Sequence, residues 1–259
     1  MNKRYLLIVG GHKTEINILE NVLKNKGFKT SSTASINFSK LSYFNYTIFN
    51  DKNIDVFIVA SEQSRIHDIV IKFDKNKEDL ERFFGFTTNA FQGIFLIFDL
   101  DHNDNEDLQT MFNMFNDEYS GLLLISSPCI EVLGDLERKE FQCKHIKKEY
   151  TTKLNTFHEI NNKCNVEDFI IKNFDKLALF YLIENYKTFN EENIMEHPRL
   201  VIEKINKENI RCNIEDKKIC YIRYFTTVIY VLIAFMFGLT KKINNYKIVY
   251  KYFEENLKH

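Results

Sequence analysis

The sequence predicts an α/β fold, a mostly parallel sheet flanked by helices with a helical carboxyl-terminal lobe. Two observations carry this. Four short, mainly apolar runs, Tyr5–Val9 (YLLIV), Asp55–Ala60 (DVFIVA), Gly93–Phe98 (GIFLIF) and Gly121–Ile125 (GLLLI), read as strands, most of them buried on both faces. Between them lie segments with helical spacing, so strands and helices alternate as in βαβ units. Beyond about residue 150 the strand signals fade and helical ones take over. The expected organisation is therefore an α/β domain over 1–150 and a mainly helical lobe over 151–259.

Each element has its own signal. After the first run, closed by Gly10-Gly11, Thr14 is placed to cap a helix. Ile16, Leu19, Val22 and Leu23 recur at helical spacing, and Gly27 sits where that helix would stop. Residues 30–53 are polar and aromatic with weak periodicity and receive no assignment. A charged helix is expected from Arg65 to about Phe84, before Gly85. Leu108, Met111, Phe112 and Phe115 mark one face of a helix over Glu106–Phe115. In the lobe the expected helices are Phe169–Tyr186, Leu200–Asn206 and Tyr221–Leu239.

The chain has 259 residues, 44% hydrophobic and 27% charged, the composition of a folded globular protein. Lys and Arg number 35 against 36 Asp and Glu, which excludes a global polycation, so any nucleic-acid contact must use a local patch. The five cysteines form no CxxC pair, which argues against a disulfide framework or a structural zinc site and suits a reducing cytoplasm. The opening MNKRYLLIVGGHK reads as a first strand rather than a signal peptide. Phe225–Leu239, the longest apolar stretch, is shorter than the roughly 20 residues a spanning helix needs. A buried helix is expected there, with no membrane partner.

Ligands of open α/β sheets collect beyond the carboxyl ends of the strands. Three strand ends here carry acids: Glu15 after the first, Asp99 and Asp101 after the third, and Glu131 after the fourth. An Asp-x-Asp pair at a strand end suits Mg²⁺, which takes oxygen ligands from one or two carboxylates plus waters and substrate phosphate. A polar turn would use the same string, since Asp and Asn are turn formers. Cys129 reads as a small buried residue. His12, Lys13 and His102 are loop residues within reach of a phosphate in one reading and solvated in the other. Lys139, Lys144, His145, Lys147 and Lys148 form the only dense basic run, which is either a phosphate-backbone contact or a solvated helix face.

The series LLIVGGHKTE, IFLIFDLD and LLLISSPCIEVL resembles the TOPRIM fold of topoisomerases, primases and overcoming-lysogenization-defect nucleases, most of all its RloB-like branch. The resemblance covers about residues 4–135 and rests on Thr14-Glu15, Asp99-Leu100-Asp101 and Ser127-Pro128-Cys129-Ile130-Glu131, in that order. It implies a nuclease in which Asp99 and Asp101 bind Mg²⁺ or Mn²⁺ and Glu131 completes the acidic cluster. Glu15, Asp99 and Asp101 would be catalytic, and Lys13, Lys144, Lys147 and Lys148 would contact DNA or RNA. The branch further implies anti-phage defence and an ATPase partner. One departure stands out: Gly10 occupies the place of the family's strand-end glutamate. Either Glu15 takes over that role, or the chain is a degenerate subunit that binds nucleic acid or its partner without cutting.

IFDLDHND also resembles the first motif of haloacid-dehalogenase phosphatases, with Asp99 as nucleophile, Asp101 as acid or base and Ser126 as the strand-end hydroxyl. His102 stands where that motif has glycine.

Overall fold

The computed structural model describes residues 3–10, 13–36, 44–51, 54–61, 77–99, 105–117, 121–127, 129–135, 146–189, 203–204, 206–207 and 225–228. The chain divides into two compact units, Met1–Leu124 and Ile125–His259.

The first unit is built on β1 (Lys3–Val9), which pairs in parallel with β4 (Ile54–Ser61) on one side and β5 (Gly93–Asp99) on the other. Tyr5–Val9, Val56–Ala60 and the whole of β5 are buried. Only a strand covered on both faces tolerates such unbroken apolar runs. The sheet continues from β5 to β7 (Gly121–Ser127), whose first residues belong to this unit, and ends on the two-residue β6 (Asn116–Asp117). The α/β class with a parallel centre is thus as expected.

On the far side of β4 the unassigned stretch turns out to be a hairpin. β2 (Lys29–Ile36) and β3 (Phe44–Asp51) pair antiparallel, and β3 pairs antiparallel with β4, giving the order β2-β3-β4-β1-β5-β7-β6. The register of β2 shifts between Thr30 and Ser32, an irregularity that adds to the weak period-2 signal of KTSSTASI.

Helix α1 (Thr14–Asn25) follows β1 and buries Ile18, Leu19, Val22 and Leu23, each contributing roughly 1.5–3 kcal/mol of transfer free energy. It stops in a Schellman arrangement: Gly27 at φ +90° donates to Lys24 O at 3.0 Å, and Phe28 N–H reaches Leu23 O at 3.0 Å. Phe28 is buried in turn, so the stop signal at Gly27 also sets where the chain enters β2. Helices α2 (Lys77–Phe84) and α3 (Asn105–Met114) match the ends of their expected segments. At the amino-terminal edge of the parallel strands Phe57, Phe84, Phe86 and Phe91 form an aromatic cluster with centroids 5.2–5.7 Å apart, capped by the Arg4 guanidinium 4.2 Å above Phe86.

The second unit contains the end of β7, a 3-10 turn (Ile130–Gly134), α4 (Ile146–Asn162), α5 (Val166–Phe189) and β8 (Phe225–Thr226). Asn165 caps α5 by accepting from Asp168 N–H at 2.8 Å. Val166, Ile170, Phe174, Leu177, Ala178 and Tyr181 then form the buried stripe of that helix, which packs on the 3-10 turn.

One expectation is corrected at its start. Phe225–Thr226, expected in a helix, forms a strand antiparallel to Ser126–Ser127 of β7. The reason is polar: Thr227 Oγ1 accepts Ile125 N–H at 2.8 Å, Thr227 N–H donates to Ile125 O at 3.1 Å, and Ser126 Oγ lies 3.0 Å from Thr226 Oγ1. Such hydroxyl-to-backbone bonds compete with a helix. The remainder of that run, 229–239, lies outside the described residues. No helix among the described residues is long and apolar enough to cross a membrane.

Candidate functional site

In the first unit, the ladder between β1 and β5 runs to Val9 opposite Ile97, and Gly10 N–H extends it by donating to Ile97 O at 2.9 Å. Asp99 follows two residues later as the last residue of β5, with 9% exposure. Gly10 is buried against a ring. A Cβ on residue 10 would lie 2.1 Å from Phe98 Cδ1 and 2.6 Å from Cε1, and Phe98 itself is 1% exposed. The place at which the resemblance would put a strand-end glutamate is therefore filled by the neighbouring strand's aromatic side chain.

The other acid of that motif is present and placed differently. Thr14, expected to cap α1, is instead its first residue, and the cap position belongs to Lys13, which makes no side-chain cap. Lys13 is exposed, and its carbonyl accepts Asn17 N–H at 2.9 Å. Glu15 lies in the first helical turn with 7% exposure. The helix amino terminus favours a carboxylate there through its dipole. No side-chain hydrogen bond or ion pair of Glu15 is present among the described residues.

Asp101, His12, His102, Lys139, Lys144 and His145 lie outside the described residues. Lys147 and Lys148 belong to the first turn of α4. Among the described residues no group of three or more His, Cys, Asp or Glu side chains is arranged to hold a metal. Ser126, the hydroxyl the phosphatase reading needs, is 1% exposed and engaged with Thr226.

Glu131 belongs to the second unit, where it sits in the first turn of the 3-10 segment at 8% exposure, and Cys129 just before it is fully buried. This turn is held from its own unit by three side chains that the sequence reading passed over. Tyr150 OH donates to Asp135 Oδ2 at 3.0 Å, Tyr181 OH donates to Val132 O, and His158 Nε2 lies 2.9 Å from Gly134 O. Burial, then the Asp135 carboxylate, pushes the Tyr150 hydroxyl far above the ordinary phenol range, so it stays a donor. Burial holds the His158 imidazole below its usual value, against the opposing pull of the Gly134 carbonyl. A signal was available: Tyr150, Leu154 and His158 recur four residues apart on one face of α4, which marks polar-tipped residues on a buried stripe.

No family model and no curated protein matches the chain. Among solved structures it is similar to the cytosolic domain of the T. maritima FeoB iron transporter. The GDP form II is 11% identical over 83% of this chain and 99% of that one, with a TM-score of 0.25. The GMPPNP form is 13% identical over 83% and 98%, with a TM-score of 0.24. At such scores the similarity carries no argument about fold or activity.

Proposed function

We propose that the chain is a divalent-metal-dependent nuclease that hydrolyses nucleic-acid phosphodiesters with acids at the carboxyl ends of β1 and β5, and that it serves bacterial anti-phage defence beside an ATPase partner. The observation that supports the chemistry is Glu15. It lies in the first turn of α1, just beyond the end of β1, where the helix dipole favours a carboxylate. Asp99 ends the adjacent parallel strand, where ligands of α/β sheets gather. The defence role and the partner rest on the sequence resemblance.

The donor set fits the proposed ion. Asp99 and Asp101 offer carboxylate oxygens, the ligands that Mg²⁺ and Mn²⁺ take. Such an ion, when bound, supplies a water activated for attack and neutralises the leaving oxygen. Asp99 and Asp101 would hold it, Glu15 would accept the proton of the attacking water in place of an acid at position 10, and Lys13 would contact the phosphate backbone. The test is a cleavage assay of the purified chain on DNA and total RNA with Mg²⁺, Mn²⁺ or EDTA. Metal-dependent cleavage lost in Asp99→Asn supports the reading; no cleavage of either nucleic acid with any metal defeats it.

A second reading is favoured by Phe98. Its ring fills the space next to Gly10, as expected of a subunit that binds nucleic acid or a partner without cutting. Retention of nucleic acid in a gel-shift assay, with no cleavage under any metal, would select it.

A further inference from the structure

We draw no further inference here: the strongest candidate, the outer edge of β2 (Lys29–Ile36), which ends the sheet order beyond β3 and carries a mostly polar sequence, is a surface for strand addition only if a partner is known, and nothing in the structure shows what covers it.

Discussion

The ring of Phe98 occupies the space that any side chain on residue 10 would need, with Cδ1 2.1 Å from where the Cβ would be. The neighbour is an aromatic ring in a fully buried strand, not the tip of a flexible chain, so it cannot yield without disturbing β5. Gly10→Ala should therefore destabilise by about 1–3 kcal/mol, the usual cost of overpacking. In a Phe98→Ala background the same change should cost much less. A double-mutant cycle from urea unfolding measures the coupling, and additive effects would show that the ring is not the obstacle.

Metal binding makes a second prediction. If the proposed metal site exists, Mg²⁺ or Mn²⁺ should raise the melting temperature of the wild type, and Asp99→Asn and Asp101→Asn should each abolish that rise. A cation that binds only the folded state adds on the order of 2.7 kcal/mol at a hundredfold excess over Kd. Calorimetric scans with and without EDTA check this.

Tyr181→Phe keeps the ring but removes one of two donors to the Val132 carbonyl, which still accepts Asp135 N–H at 3.0 Å. The expected loss is about 0.5–1.5 kcal/mol in chemical denaturation. Tyr150→Phe removes the hydroxyl that satisfies the buried Asp135 Oδ2 and should cost about 1–3 kcal/mol in the same assay. No loss on Tyr150→Phe would mean that the carboxylate has found another donor.

Glu81 receives both the N–H and the hydroxyl of Thr88, at 2.7 and 3.0 Å, and the backbone bond first, then the hydroxyl, holds its carboxyl below the usual range. A depressed folded-state value stabilises above the unfolded pKa, near 4.3, and that contribution disappears as pH falls through the folded value. Wild type should accordingly melt higher than Glu81→Gln at pH 7, and the two curves should converge in acid. Parallel curves down to pH 3 would remove the carboxylate from this account.

The sequence by itself determined the parallel centre and its helices, because β1, β4, β5 and β7 each carry a continuous apolar run of four or more residues and α1 carries both its stripe and its stop. Each of those signals is local: a strand covered on two faces must be apolar along its length, and Gly27 ends a helix through its own backbone. Only the tertiary structure decided the rest. The hairpin β2–β3 has a polar sequence with an irregular register, so it is a strand pair by virtue of its neighbour β4 rather than its own pattern. Phe225–Thr226 is drawn into the sheet by hydroxyl bonds to residues about a hundred positions away. The acids at positions 15, 99 and 131 were legible as strand-end residues, but that Phe98 closes position 10 is a contact between adjacent strands, and no spacing along one strand records what the next one brings beside it.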